Sequence, residues 1–134
     1  MSDVFKQLET AADGTQQDLS LLLDNLKFNA DGLVPAIAQQ FDSGAVLMLA
    51  WMDRKAIEET LQTGRVCYWS RSRKTYWRKG ESSGNVQTLK EMRIDCDGDT
   101  LLLLVDQNGP ACHTQRQTCF YNIVINDKVE VSGS

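Results

Sequence analysis

LVPAIAQQFDSGAVLMLAWMDRKAIEETLQTGRVCYWS, residues 33–70, decides the fold. Two apolar runs flank Asp42-Ser43-Gly44, a three-residue turn containing glycine, and read as a β-hairpin. Pro35 lacks a backbone donor, which predicts an edge position for the first strand. Asp53 stands where an N-cap carboxylate accepts from the first turn of RKAIEETLQT, and Gly64 where a left-handed residue ends that helix. Met52 and Ile57 fall at the two positions of a hydrophobic staple. VCYWS after Gly64 reads as the next strand.

On the N-terminal side, residues 1–30 read as a polar lead with one helix. Leu19, Leu22, Leu23 and Leu26 recur at helical spacing, with Gly14 and Asp18 as start signals. On the C-terminal side, residues 71–85 (RSRKTYWRKGESSGN) read as a polar loop or a strand and loop. VQTLKEMRI and TLLLLV are strands flanking DCDGD, residues 95–99, and CFYNIVI is a final strand. The expectation is a β-rich α+β fold: a compact single domain, residues 31–125, with one well-defined crossover helix and a tail at 126–134.

The chain has 134 residues, 42% hydrophobic and 24% charged, with 14 Lys and Arg against 18 Asp and Glu for a net charge of −4. That balance argues against general affinity for nucleic acid or an anionic membrane. The longest apolar run, Ala45 to Met52, is far short of the roughly 20 residues of a membrane span. No basic-then-apolar signal pattern opens the chain, so the expected location is cytoplasmic.

Three constellations can carry chemistry. In DCDGD, Asp95, Asp97 and Asp99 alternate with Cys96, so hard oxygens suited to magnesium or calcium lie beside a thiol suited to zinc. Thr100 and Asp106 break the EF-hand pattern, and a plain hairpin tip would use the same Asp-Gly residues. Second, Cys112 and Cys119 flank His113, the chain's sole imidazole. Cys96, Cys112 and Cys119 would leave one tetrahedral zinc position open, the pattern of a catalytic site. Cys67, between Val66 and Tyr68 in a strand, reads as a buried inert thiol. Two disulfides are the formal alternative for four cysteines. Third, Arg71, Arg73, Lys74, Arg78 and Lys79 interleave with Tyr68, Trp69, Tyr76 and Trp77, and Ser82, Ser83 and Gly84 follow. Such forks and aromatic faces suit a phosphorylated nucleotide or single-stranded nucleic acid. A solvated basic strand over core aromatics is the bland reading.

VLMLAWMDRKAI, TGRVCYWSRSRKTYWRKGESSGN, DCDGDTLLLLV and GPACHTQRQTCFY, in that order, resemble the phosphoribosyl-AMP cyclohydrolase family of histidine biosynthesis. The resemblance implies a monofunctional zinc- and magnesium-dependent hydrolase that opens the adenine ring of 1-(5-phosphoribosyl)-AMP at N1–C6 with a zinc-activated water. It implies an intertwined homodimer, with zinc on Cys96 of one subunit and Cys112 and Cys119 of the other, and magnesium on Asp95, Asp97 and Asp99. His113 is then the proton-transfer residue. Trp69, Ser70, Arg71, Ser72, Arg73, Trp77, Lys79, Ser83, Gly84 and Asn85 are the implied contacts for a substrate with two phosphoribosyl groups. The family usually has glycine where this chain has Gln115, for which a left-handed backbone is disfavoured. Two rival classes are a zinc-organised single-stranded nucleic-acid module without catalysis and a zinc base deaminase. The deaminase lacks its H-x-E and C-x-x-C signature here.

Overall fold

A computed structural model describes residues 3–132. Its helices are α1 (Val4–Leu8), α2 (Leu19–Asp24) and α3 (Arg54–Thr63). Its strands are β1 (Val34–Gln40), β2 (Val46–Met52), β3 (Cys67–Ser70), β4 (Thr75–Arg78), β5 (Gln87–Ile94), β6 (Leu101–Gln107), β7 (Asn122–Ile125) and β8 (Lys128–Val131).

The 33–70 stretch folds as its local chemistry dictates. β1 and β2 pair antiparallel across the Asp42–Gly44 turn, with Ile37 opposite Leu49. Asp53 Oδ1 accepts from the Ala56 amide at 2.8 Å, and Gly64 ends α3 at φ +76°. Met52 and Ile57 are fully buried. Each such side chain contributes about 2 kcal/mol through the apolar area it removes from water.

Long-range pairing differs from the local reading. The six-stranded sheet runs β4-β3-β2-β1-β6-β5, so β1 lies between two neighbours and not at an edge. Pro35 is tolerated there because the parallel ladder to β6 begins one residue later, at Ala36 opposite Leu101. α3 joins β2 to its antiparallel neighbour β3, so it is a connection and not a crossover; β1 and β6 form the sheet's parallel pair. The sheet also curls: Arg65, just before β3, bridges Thr88 of β5, and the Val66 amide donates to the Gln87 carbonyl at 3.1 Å.

The core lies on one sheet face. Val34, Ala36 and Ala38 of β1 alternate inward beside Leu101, Leu103 and Val105 of β6. Phe5, Leu22, Leu23 and Leu26 close that layer from the N-terminal side. Two short helices therefore occupy the lead where one was expected, α1 being capped by Asp3, whose carboxylate accepts from the Phe5 amide at 3.0 Å. At the other end the expected single strand is a hairpin, β7 paired with β8, and every residue of both strands is exposed. Among the described residues no helix is long and apolar enough to cross a membrane.

Candidate active site

Strand β4, the segment that follows it and the loop after β6 surround a cavity of about 640 Å³. Arg73, Tyr76, Trp77, Lys79, Ser83 and Asn85 line it, together with Cys112, His113, Gln115 and Cys119. Strand β4, the turn before it and two loops carry these groups.

The loop after β6 is pinned to the start of β2. The Cys119 amide donates to Leu47 O at 2.7 Å, and the Thr118 hydroxyl donates to Val46 O at 2.7 Å. Within it the Cys112 amide donates to Arg116 O at 3.1 Å and the Gln115 amide to Cys112 O at 3.0 Å. Gln115 closes this turn at φ +72°. Gln115 holds this left-handed backbone without the freedom of a glycine, at a cost of about 1–2 kcal/mol.

Inside the loop the Cys112 and Cys119 thiols lie close enough to influence each other's ionisation. Burial opposes ionisation of Cys112, but hydrogen bonds from Thr114, whose hydroxyl lies 3.1 Å from Cys112 Sγ, hold that thiol below its ordinary value. Desolvation and the neighbouring Cys112 push Cys119 up to about 11. Lys79 Nζ donates to Ala111 O at 2.6 Å and sits 5.4 Å over the Trp77 ring. Burial lowers its pKa against the opposing pull of both cysteines.

The second loop, residues 80–85, hangs on a buried polar chain that sequence reading missed. The Tyr68 hydroxyl donates to Gln87 Oε1 at 2.8 Å, Gln87 Nε2 to Gln107 Oε1 at 2.8 Å, and Gln107 Nε2 to Asn85 O at 3.0 Å. An isolated glutamine in a strand carries no sequence signal for this. Tyr76, one of the aromatics interleaved with the basic residues, also lines the cavity; its hydroxyl donates to Asp53 Oδ2 at 2.7 Å. Of the basic segment, Arg78 also lines the cavity and makes a two-pronged ion pair with Glu59 of α3, at 2.9 and 2.8 Å.

The remaining site residues lie apart from this cavity. Trp69, Ser70, Arg71 and Ser72 occupy the end of β3 and its turn; Arg71 stacks 4.5 Å over Trp51, and Trp69 meets Tyr76 edge-on at 5.0 Å. Gly84 is in the second loop but outside the lining, its carbonyl accepting from Asn108 Nδ2 at 3.0 Å. Asp95, Cys96, Asp97 and Asp99 form the exposed β5–β6 turn. Despite some desolvation, hydrogen bonds from Asp99, Thr100 and Gly98 hold the Asp95 carboxyl below its usual range, whereas its contact with Asp95 raises Asp99. This turn and the Cys112 loop sit at opposite ends of β6, a seven-residue strand about 20 Å long. Cys67 is buried beneath α3, pushed up to about 12 by that burial and by Glu59. All four cysteines are free thiols.

Cys112 and Cys119 could supply two soft donors to a zinc ion, and the paired Asp95 and Asp99 could supply hard oxygens suited to magnesium. Among the described residues of one chain, no three Cys, His, Asp or Glu groups come together as a metal site.

The family model for phosphoribosyl-AMP cyclohydrolase matches residues 48–121, more than half of the chain. The chain belongs to the phosphoribosyl-AMP cyclohydrolase family. A phosphoribosyl-AMP cyclohydrolase of Halorhodospira halophila is 67% identical over 129 residues, 96% of this chain and 91% of that protein. One from Alkalilimnicola ehrlichii is 66% identical over 128 residues, 96% of this chain and 90% of its own length. One from Chromohalobacter salexigens is 63% identical over the whole of this chain and 92% of its own length. The residues that line the cavity from Met48 to Cys119 all fall inside the span of the phosphoribosyl-AMP cyclohydrolase match.

Proposed function

We propose that this chain is a phosphoribosyl-AMP cyclohydrolase of histidine biosynthesis, acting as a homodimer that completes its site from two copies. In that dimer Cys96 of one subunit joins Cys112 and Cys119 of the other around one zinc per subunit, and Asp95, Asp97 and Asp99 hold magnesium. One observation carries this reading. The Cys112–Cys119 pair opens into the cavity two donors short of a tetrahedron, while the exposed Cys96 lies beyond the opposite end of β6, a strand about 20 Å long. A second copy can supply what the first cannot reach. The β7–β8 hairpin supports it: Val124 is 75% exposed and Val129 63%, and an isolated two-stranded hairpin is marginal in water. Exposed apolar surface of this kind marks a contact face.

The chemistry follows from the substrate. A sugar on N1 turns the adenine ring into an electron-poor amidinium. Water adds to C6, the C6–N1 bond breaks, C6 keeps its exocyclic nitrogen as a carboxamide, and N1 takes a proton. Bound zinc lowers the pKa of a water to about 7, and magnesium screens phosphate charge. His113, exposed on the cavity wall, moves the proton between the water and N1. Arg73 and Lys79 hold a phosphate, Trp77 offers a face to the base, and Ser83 and Asn85 present polar groups from the loop fixed by Gln107.

The test is absorbance-monitored ring opening of 1-(5-phosphoribosyl)-AMP, with zinc counted by mass spectrometry. Turnover with about one zinc per chain is expected. Zinc-loaded protein that leaves the ring intact and instead binds oligonucleotides in a salt-sensitive way would replace this reading with the nucleic-acid module.

A further inference from the structure

We propose that Lys27 and Phe5 are positioning residues for the 95–99 turn, and that the N-terminal segment is a brace that sets the turn's affinity for a hard divalent cation. The proposal rests on the reading of Asp95, Asp97 and Asp99 as the magnesium ligands. Contacts from separate parts of the segment converge on one point. The Lys27 amide donates to Gly98 O at 2.8 Å, and Lys27 Nζ donates to Asp97 O. Lys27 Nζ also pairs with Asp3 Oδ2 at 3.0 Å and lies 5.4 Å over the Phe5 ring. Phe5 in turn covers Gly98, which is buried at φ +73° between exposed neighbours. A Cβ at Gly98 would stand 2.3 Å from Phe5 Cε2.

The division of labour among these groups explains their arrangement. The ion pair of Lys27 goes to Asp3, and its hydrogen bonds go to main-chain carbonyls. It therefore shapes the backbone of the turn and leaves the three carboxylates to a cation. Asp3 also caps α1, so the ion pair ties the start of that helix to the metal turn. Groups that orient ligands in this way typically govern 10- to 100-fold in metal affinity.

Calorimetric titration of the zinc-loaded protein with Mn²⁺, a spectroscopically visible hard cation, tests the brace. Uptake that disappears in Asp97→Asn marks the site. Lys27→Met should weaken Mn²⁺ binding about tenfold or more, with faster amide exchange at Gly98 and an otherwise unchanged exchange pattern. Lys27→Arg keeps the donor and the charge and should recover most of the affinity. Phe5→Ala removes no charge and should weaken binding in the same direction. A Lys27 acting only as a like charge would, on removal, tighten binding, so unchanged or tighter Mn²⁺ binding in Lys27→Met overturns the brace. Wild-type protein that takes up no Mn²⁺ at the turn overturns the magnesium reading first, and the brace with it.

Discussion

Replacing Asp53 by alanine removes two bonds that tie the helix to the cavity wall. Asp53 Oδ1 accepts from the Ala56 amide at 2.8 Å, and Oδ2 accepts from the Tyr76 hydroxyl at 2.7 Å. Loss of an N-cap acceptor costs about 1 kcal/mol. Loss of a hydrogen bond to a charged partner costs about 2 kcal/mol, less whatever water restores to the half-buried Tyr76. The two together approach 3 kcal/mol. A 134-residue chain has an unfolding entropy of roughly 0.28 kcal/mol/K at its midpoint, so Tm should fall by about 10 °C. Scanning calorimetry at fixed protein concentration measures this, because the Tm of the proposed dimer would move with concentration. Tyr76→Phe removes only the second bond and should produce the larger part of the fall. Adding it to Asp53→Ala should change little, giving a coupling energy of about 1–2 kcal/mol. A fall below about 3 °C in Asp53→Ala, or strict additivity in the double variant, would refute the reasoning.

Gln115→Gly should raise stability by up to about 1 kcal/mol, the relief of the left-handed backbone less the entropy of a freer unfolded chain; a lower Tm would contradict it. Burial, with the bond to Asp53, raises Tyr76 from 10.0 to about 12. The unfolded phenol therefore loses its proton first, and stability should decline as pH rises from 10 to 12. Equilibrium unfolding at stepped pH checks this, and Tyr76→Phe should remove that part of the decline. His113→Ala should keep zinc and lose about 10²- to 10⁴-fold in turnover at saturating substrate. Normal turnover with only a raised KM would make His113 a binding residue.

What a local reading captures here is what local chemistry determines. The cap at Asp53, the stop at Gly64 and the turn at Asp42–Gly44 act within a few residues, and all three stand in the structure. Pro35 pointed to an edge because a missing donor is visible in sequence, whereas the offset that shelters it, a ladder beginning at Ala36, depends on a strand 65 residues away. α1 escaped notice because five residues give barely one turn of periodicity. β8 escaped because Lys128 to Val131 is exposed throughout and pairs only with β7 among the described residues. The site divides along the same line. The convergence of Cys112, His113, Cys119 and Lys79 needs the sheet's curl, and the buried chain from Tyr68 to Asn85 needs three strands in register. The aromatic and basic residues announced themselves by clustering, yet only Arg73, Trp77 and Lys79, with Tyr76 and Arg78, reach the cavity.

The completion of the site by two copies is tested most directly by mixing two inactive variants. In a Cys96→Ser homodimer every site lacks one ligand, and in a Cys112→Ser homodimer every site lacks another. In a mixed dimer two-fold symmetry places both lesions in one site and leaves the other intact. Equal amounts refolded together give half mixed dimers, so about a quarter of wild-type activity and about a quarter of the zinc should return. If the three cysteines of a site came from one chain, no reassortment could repair it. Verified mixed dimers that stay inactive and short of zinc would contradict the account.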